Sequence, residues 1–411
     1  MARKMKDSGI EWIGEIPEGW EVVQLKRFAE VHNGREIDVE VDSTDSSAVG
    51  VYGSGGVFKY TNRAQYSGKA VLFGRKGTLG KPLYVEGQLW AVDTMYFLTY
   101  SNRLLEKFSY YQFLAFNWAP YITHTAIPSV VASEIVACYF PIPPLEEQAK
   151  IVDYLDNGCA SLDTILDKTR SSIEEYKKLK QAVITQAVTK GVRGEREMKD
   201  SGVEWIGEIP KEWGRTKIKM IASFFNGDRT SRYPQPSDFV DAGVAFLTSR
   251  NIDSDEVDLS ETKYITDDKY KSLSGAKIQI DDIIFCLRGS VGKCAINRTL
   301  SCGTVASSLA TIRPKDIYPK YLLYFLLSNI ASTQTTIFMN GTCAANLSAE
   351  NVGNYYITLP NAAEQKEIAD HLDAKCAEID KLIAKKEQLV KELESYKKSL
   401  IYEVVTGKRE V

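Results

Sequence analysis

The sequence has few of the residues from which metal and redox sites are built. Its 411 residues include seven cysteines without a CxxC pair and three histidines. The histidines are His32, His124 and His371. Their scatter along the chain favours surface or packing positions. Cys286, Cys294 and Cys302 lie among apolar or small residues, which favours buried free thiols over a metal site or disulfides.

Long hydrophobic runs and an excess of one charge are also missing. No apolar run approaches the ~18 to 20 residues that span a bilayer, and the N-terminal sequence MARKMKDSG lacks the apolar stretch of a secretory signal. The sequence therefore predicts a cytoplasmic protein without a membrane partner. The net charge of −3 argues against unspecific coating of nucleic acid, but a specific reader needs only local basic groups.

Catalytic fingerprints are absent as well. The sequence has no HExxH or GxSxG motif, and no GxGxxG follows a predicted strand. The Asn/Asp-Pro-Pro-aromatic tetrapeptide of amino-methyltransferases is missing, because Ile142 precedes the Pro-Pro pair. The stretch GRKGTLGK at 74–81 misses the P-loop spacing, because Arg75 stands where the first glycine would be. We therefore expect a non-catalytic chain that holds no metal or cofactor of its own.

What the sequence does contain is an internal repeat. Residues 5–20 read MKDSGIEWIGEIPEGW and residues 198–213 read MKDSGVEWIGEIPKEW, with thirteen of sixteen positions identical at an offset of 193. A second pair, PPLEEQ at 143–148 and PNAAEQ at 360–365, follows at an offset of 217. The chain is therefore predicted to consist of two similar halves that do one task twice.

Each copy of the second motif opens a long helical segment with apolar residues at alternating spacings of three and four, the heptad pattern of a coiled coil. The predicted seam residues are Leu155, Cys159, Leu162, Leu166, Ile173, Tyr176 and Val183 in the first segment, and Leu372, Cys376, Ile379, Ile383, Val390, Leu393, Leu400 and Val404 in the second. Lys180, Lys386 and Lys397 interrupt the seam and are expected to snorkel or to fix the pairing. Gly191 and Gly407 are stop signals for the two helices.

A narrow stripe of this kind favours packing of the two helices on each other, in antiparallel orientation if a two-fold axis relates the halves. The alternative is that each helix packs on its own globular domain. As a helix, residues 162–188 would be roughly 40 Å long, close to one DNA turn of ~34–36 Å. A helix pair could therefore hold two readers about one turn apart.

The segments between motif and helix have diverged, and the second is 24 residues longer. Shared landmarks are Asn-Gly at 33–34 and 226–227, and the Gly-rich stretches FGRKGTLGK at 73–81 and FCLRGSVGK at 285–293. Both segments have the strand-like runs and turn signals of mixed α+β domains. The strand-like runs are 70–73 and 278–285, and the short buried helices are expected at 110–116 and 318–327.

Basic residues accompany these landmarks. A Gly-rich turn that exposes backbone N–H groups beside cations can approach a phosphate or a base edge; the alternative is a solvated hairpin with incidental lysines. The candidate DNA-contacting residues are Arg35, Tyr52, Ser54, Arg75, Lys76, Lys81, Arg229, Arg232, Arg250, Arg288 and Lys293.

The order of these features resembles the specificity subunit of type I restriction–modification systems. The likeness rests on the paired EWIGEIP segments, the motifs at 143–148 and 360–365 and VVTGK at 404–408, and it covers essentially the whole chain. One departure is Asn361-Ala362-Ala363, where the first copy has Pro-Leu-Glu. In that family each variable segment is a target-recognition domain that reads one half of a split DNA sequence.

The resemblance implies double-stranded DNA, two DNA methyltransferase subunits and restriction subunits as partners. It also implies that the partner methyltransferase binds S-adenosylmethionine and that the restriction subunit binds ATP and Mg, so this chain needs no cofactor. A coiled-coil interaction scaffold that does not read DNA is the competing hypothesis.

The expected fold is α+β. It consists of two globular α/β target-recognition domains joined by two long antiparallel coiled-coil helices, in a pseudo-twofold internal repeat. The predicted boundaries are 1–144 and 193–360 for the two domains, and 145–192 and 361–411 for the central and C-terminal spacer helices.

Overall fold

The computed structural model describes residues 3–123, 126–339 and 346–411, so His124 lies outside the described residues. The α-helices within these ranges are α1 Glu106–Ala115, α2 Ala132–Ala137, α3 Leu145–Lys190, α4 Asp267–Ser272, α5 Pro319–Leu327, α6 Asn329–Phe338, α7 Ala349–Gly353 and α8 Ala362–Val405. None of them is long and apolar enough to cross a membrane.

The strands are short apart from a few in the first globular segment. In the first half they are β1 Met5–Asp7, β2 Glu15–Pro17, β3 Glu21–Gln24, β4 Ala29–Asn33, β5 Val49–Gly53, β6 Gly56–Thr61, β7 Tyr66–Gly74, β8 Leu83–Ala91, β9 Met95–Tyr100 and β10 Tyr139–Ile142. In the second half they are β11 Met198–Asp200, β12 Glu208–Pro210, β13 Gly214–Lys217, β14 Ala222–Asn226, β15 Phe239–Val240, β16 Val244–Leu247, β17 Lys263–Ile265, β18 Ile283–Cys286, β19 Cys294–Ile296, β20 Gly303–Val305, β21 Leu309–Pro314 and β22 Tyr356–Leu359.

The chain forms two compact units. The first comprises Met1–Arg170 and Glu387–Val411, and the second comprises Ser171–Lys386. Each unit therefore contains a part of both long helices, α3 and α8. The units cut across the four segments predicted from the sequence, and the boundaries of those segments stay a prediction.

The first unit is built around a six-stranded sheet with the order β4-β9-β7-β8-β5-β6. Its strands pair antiparallel except β5 and β8, which are parallel. Helix α1 packs on β7 and β8 through buried aromatic rings, among them Phe113, which stacks on Phe73. The predicted strand at 70–73 and the predicted helix at 110–116 are therefore both present, as β7 and α1.

The second unit contains two four-stranded sheets, β14-β21-β18-β19 and β15-β17-β16-β20. The strand predicted at 278–285 is wrong over its first half, because β18 begins only at Ile283. Asp281 adopts a positive φ of 69° and the Gln279 amide donates to the Asp282 carboxylate, so the chain turns there. The helix predicted at 318–327 is α5. Cys286 and Cys294 are buried thiols as predicted, but Cys302 is exposed.

Within the first unit, α3 and α8 run antiparallel. Lys397 Nζ lies 2.6 Å from Asp163 Oδ1, and Arg170 Nη2 lies 2.6 Å from Glu394 Oε1. Ascending numbers on one helix thus meet descending numbers on the other.

The second unit has the same arrangement. Lys180 Nζ lies 2.8 Å from Asp380 Oδ2, and Lys386 Nζ lies 5.7 Å from the centre of the Tyr176 ring. The three lysines that interrupt the seam therefore contact partners on the facing helix, which favours the second of their two predicted roles.

The predicted seam is the inner face of both helices. Its buried members are Leu155, Cys159, Leu162, Leu166, Ile173, Leu372, Cys376, Ile379, Leu400 and Val404, and its half-buried members are Tyr176, Val183, Ile383, Val390 and Leu393. Gly191 and Gly407 follow the helix ends with φ of 79° and 71°, a left-handed conformation that glycine adopts without strain. The prediction of mutual, antiparallel packing is confirmed within each unit.

Candidate nucleic-acid interface and its supporting frame

One end of the sheet in the first unit gathers several of the predicted DNA-contacting residues around residues 91–95, which we call edge 1. The Arg35 amide donates to Ala91 O at 2.9 Å, and the Arg75 amide donates to Thr94 O at 2.8 Å. The Val92 amide donates to Tyr52 O at 3.2 Å. Arg35, Tyr52 and Arg75, distant in sequence, therefore meet at one short segment.

Edge 2, residues 305–309, has the same construction in the second unit. The Leu287 amide donates to Ser308 O at 2.9 Å and the Ala306 amide donates to Leu247 O at 2.8 Å. The side-chain Nε of Arg229 donates to Ser307 O at 3.3 Å. Arg229, the Gly-rich stretch and the strand that precedes Arg250 thus meet at edge 2.

A glycine touches each edge so closely that no side chain fits. A Cβ atom on Gly34 would lie 1.8 Å from Val92 O, and one on Gly227 would lie 2.2 Å from Ala306 O. Both separations are far below a van der Waals contact. The repeated Asn-Gly pair is therefore explained by the close approach of backbone to backbone at each edge.

The Gly-rich stretches are hairpin loops, between β7 and β8 in one unit and between β18 and β19 in the other. Gly77 and Gly80 adopt positive φ of 82° and 71°, and their counterparts Gly289 and Gly292 adopt 74° and 89°. The same loop fold is thus built twice, which confirms a turn between strands. The loops also bridge equivalent positions, Lys76 to Ser129 and Arg288 to Asn346.

The side chains on the two loops differ in how they are held. The Arg75 guanidinium lies 5.7 Å from the centre of the Tyr96 ring, while Lys76 and Lys81 are exposed. In the second loop, the Lys293 ammonium lies 2.8 Å from Asp253 Oδ1, and this hydrogen bond raises the pKa of Lys293.

The remaining candidates lie further from the edges. Ser54 is half-buried at the tip of the β5–β6 hairpin, and Arg250 is exposed in a short turn after β16. Arg232 is exposed, and its Nε lies 3.5 Å from Thr230 Oγ1. Burial raises the pKa of the Tyr52 hydroxyl, which keeps it a neutral hydrogen-bonding group.

A buried carboxylate fixes the loop that presents Arg229 and Arg232. Burial alone would raise the pKa of Asp228, but hydrogen bonds from Thr230 and Ser274 lower it well below its usual range. Asp228 therefore stays charged and ties the loop to the start of the segment after α4.

The tryptophans that end the repeated segments 5–20 and 198–213 form a frame against the start of each long helix. In the first unit, Trp20 Nε1 donates to Glu147 Oε2 at 3.1 Å, and Arg3 Nη2 lies 2.6 Å from the other carboxylate oxygen. The Arg3 guanidinium also lies 5.5 Å from the centre of the Trp20 ring. Because Glu147 stands in the first turn of α3, its charge is also favoured by the helix dipole.

The second unit repeats this cluster. Trp213 Nε1 donates to Glu364 Oε2 at 3.0 Å, and Arg196 Nη2 lies 2.6 Å from Glu364 Oε1. Glu364 is fully buried, whereas the side chain of Glu147 is 26% exposed. Asn361, part of the departure from the first copy, accepts the Glu364 amide at 3.0 Å and so caps α8.

The neighbouring glutamine connects each long helix to the short helix of its globular segment. Gln148 Oε1 accepts the Leu105 amide before α1, and Gln365 Oε1 accepts the Tyr318 amide before α5, each at 2.8 Å. The sequence shows these glutamines only as letters of a repeated motif, and their role was not predicted from it.

A second missed cluster holds the short helices on the long ones. Tyr111 and Lys107 of α1 both bind Asp156 of α3, at 2.7 and 2.8 Å. Tyr324 and Lys320 of α5 bind Asp373 of α8 in the same way. Asp156 and Asp373 keep the offset of 217 residues, which was a signal available in the sequence.

Within residues 3–123, 126–339 and 346–411, no group of three or more His, Cys, Asp or Glu side chains is placed to hold a metal ion. His32 is half-buried and stacks on Phe97 at 4.7 Å between ring centres, and His371 is exposed.

Comparison with known proteins gives a consistent result. The family described as type I restriction modification DNA specificity domain matches residues 17–175 and 210–392. The chain is 25% identical over 425 residues to the type I restriction enzyme MjaVIII specificity subunit of Methanocaldococcus jannaschii, covering 96% of this chain and 93% of that protein. It is 26% identical over 250 residues to the EcoBI specificity subunit of Escherichia coli, covering 59% and 52% of the two chains.

The fold also has a solved counterpart. A chain from a structure that addresses complex assembly and conformational transition of the type I R-M system superposes with a TM-score of 0.70 at 17% identity. The match covers 96% of this chain and 99% of that one.

Proposed function

The chain belongs to the family of type I restriction modification DNA specificity domains, and from that premise we propose that it directs a type I methyltransferase to a split, asymmetric DNA sequence. Each unit reads one half of the sequence. The chain itself does no covalent chemistry.

The observation that carries this proposal is the duplicate construction of edge 1 and edge 2. Each edge joins an Asn-Gly turn, a Gly-rich hairpin loop and a strand end by backbone hydrogen bonds. Cationic side chains lie beside both, Arg35 and Arg75 at edge 1 and Arg229 and Arg288 at edge 2. A rigid backbone whose side chains differ between the two edges suits base readout. Contacts to phosphates position such a reader on the duplex, and contacts of side chains to base edges specify the sequence.

The asymmetry of the target follows from the side chains at equivalent positions. Glu36 and Arg229 both stand two residues after the glycine of the Asn-Gly pair, and Lys76 corresponds to Arg288. Two edges with different hydrogen-bonding groups read different bases, so the two half-sites are not copies of each other.

Docking of the methyltransferase is supported by exposed apolar residues on the long helices. The first unit exposes Ile165 and Tyr396, and the second exposes Leu382 and Leu179. All four stand one residue before a seam position, which puts them on the same side of an antiparallel pair. Ile165 matches Leu382, and Leu179 matches Tyr396, at the offset of 217.

Each unit thus presents one copy of the same small apolar surface. We name it the docking spot: Ile165 with Tyr396 in the first unit, Leu382 with Leu179 in the second. Two equal spots suit two copies of one partner, the methyltransferase subunit. S-adenosylmethionine then belongs to that partner, and ATP and Mg belong to the restriction subunits that join the complex in the cytoplasm.

The test is co-expression with a methyltransferase subunit from the same host, followed by sequencing of modified bases in the genomic DNA. We expect methylation at a two-part motif with a fixed gap, lost when this chain is omitted. Methylation at an undivided motif would exclude the two-reader proposal. A stable complex without DNA binding would instead support an interaction scaffold.

A further inference from the structure

Two arginines in the second unit are held in a way that prepares them for one kind of base. Arg229 uses only its Nε, which donates to Ser307 O at 3.3 Å. Arg288 also uses its Nε, which donates to Asn346 Oδ1 at 3.0 Å. Both side chains are otherwise exposed. In the part of the chain that the structure describes, their terminal Nη groups have no hydrogen-bond or ion-pair partner.

This geometry leaves the outer fork of each guanidinium open while its inner side is fixed. A guanidinium fork offers two parallel N–H donors, which match the O6 and N7 acceptors of guanine in the major groove. Fixing Nε in advance reduces the loss of side-chain freedom on binding. An arginine that served only as a positive charge would need no such anchor.

The first unit does not offer this arrangement at the equivalent positions. Glu36 replaces Arg229, and Lys76 replaces Arg288. A carboxylate accepts hydrogen bonds and repels guanine O6, and an ammonium is a point charge without a planar fork. At these two equivalent positions, arginines anchored through Nε are therefore found at edge 2 and not at edge 1.

We infer that the second unit reads guanines, with Arg229 and Arg288 each contacting one guanine of the half-site through a bidentate pair. This inference rests on the proposed function and specifies its substrate. It makes Arg229 and Arg288 specificity-determining residues, with Ser307 O and the Asn346 side chain as their positioning groups.

The test uses the complex of the full chain with its methyltransferase, bound to a duplex that carries the target motif. Each guanine in both half-sites is replaced in turn by 7-deazaguanine, which lacks the N7 acceptor. Two replacements in one half-site should each weaken wild-type binding on the order of ten-fold, because each removes one of the two acceptors of a bidentate pair. One of these two replacements should have no further effect on DNA binding by the Arg229→Lys variant, and the other should have no further effect on binding by the Arg288→Lys variant.

The lysine variants separate base reading from charge. Both variants keep their charge, so the salt dependence of binding should stay that of the wild type. Arg27→Lys, a matched change at an exposed arginine of the first unit, should leave binding and every deazaguanine effect unchanged.

The possible results distinguish a failure of this inference from a failure of the proposed function. The inference would be overturned if the effects of the lysine variants and of the deazaguanines were additive. It would also be overturned if the guanines that depend on Arg229 and Arg288 lay in different half-sites, or if the half-site contained no guanine. Each of these results would leave two-part recognition intact. Absence of any two-part methylation would instead overturn the proposed function.

Discussion

Lys397 and Asp163 form an ion pair across α3 and α8 in the first unit, with Nζ 2.6 Å from Oδ1. The second unit contains the same pair, Lys180 with Asp380, at 2.8 Å. The residues correspond at the offset of 217, but each pair takes its lysine from the opposite helix. The two units thus contain the same contact at equivalent positions.

Reversing this pair should disturb the helix pairing modestly. We expect Lys397→Asp to lower the free energy of unfolding by about 0.5–1 kcal/mol, because the pair is partly exposed. The double variant Lys397→Asp/Asp163→Lys should recover most of the loss in urea unfolding. The exposed pair Lys150–Glu146 within α3 is the control, and a loss of equal size there would show that the effect is not specific to the helix pairing.

The two frame glutamates should differ in their contribution to stability. Glu364→Gln should lower the free energy of unfolding by about 1.5–3 kcal/mol, the range for hydrogen bonds to charged groups. Glu147→Gln should cost less, because its carboxylate is partly solvated. Glu146→Gln is a matched control at an exposed neighbour. Equal losses in the two frames, measured by urea unfolding, would contradict the role assigned to burial.

Substitutions of the glycines at edge 1 and edge 2 should affect recognition of different half-sites. We expect Gly34→Ala to weaken recognition of one half-site and Gly227→Ala to weaken the other, because an added methyl group would push each edge away. Binding to duplexes with one scrambled half-site measures each effect. Gly55→Ala, where a Cβ meets nothing within 4 Å, should behave as wild type. If both variants impair the same half-site, the assignment of one reader per unit is wrong.

Each docking spot should bind one methyltransferase subunit. Tyr396→Asp removes an apolar contact in the first unit and Leu179→Asp removes its counterpart in the second. Each variant should reduce the methyltransferase content of the complex from two copies to one in native mass spectrometry, and the double variant should leave none. Lys391→Asp, at an exposed position of α8 away from the seam, is the control. Two bound copies in every variant would place the partner elsewhere.

The length of α3 and α8 should set the gap in the target sequence. Seven residues with the heptad pattern, inserted after Arg170 and again after Lys386, lengthen each helix by about 10 Å, or roughly three base pairs. Methylome sequencing should then show a longer gap between unchanged half-sites. An insertion of the same length in the exposed loop at 193–195 should leave the gap as it was. A constant gap in the lengthened chain would mean that the helices are not the spacer.

Much of the helix frame was predictable, because its signals are periodic or repeated. The seam residues of α3 and of α8 follow a heptad spacing, and such a narrow apolar stripe is typical of a helix that packs on a partner helix. The antiparallel pairing and the hairpin loops at Gly77 and Gly289 were likewise predicted from recurrence. Asp156 and Asp373 also recur at the offset of 217 residues. Their role was nevertheless not predicted, because they stand among many other charged residues on the helix surface.

The edges were beyond prediction, because their meeting points are set by sheet order. Residues 91–95 and 305–309 share almost no sequence, and β5 reaches edge 1 through its parallel pairing with β8. The ion pair of Lys293 with Asp253 joins residues 40 positions apart in the divergent segment. Cys302 was predicted to be buried because its neighbours are apolar or small, but Ser301 and Cys302 are exposed in a bend directly before the buried strand β20.

The division of the chain also has a consequence for its synthesis. The second unit, Ser171–Lys386, is continuous, but the first requires Glu387–Val411 to complete its helix pair. At ~5–20 residues per second, translation of the intervening unit takes on the order of ten seconds or more. Until then, the seam residues of α3 before Arg170 lack their partners on α8, although earlier segments of the first unit already pack on this part of α3. The first unit made is therefore the last to mature, and its seam is available to chaperones, or to another nascent chain, during that delay.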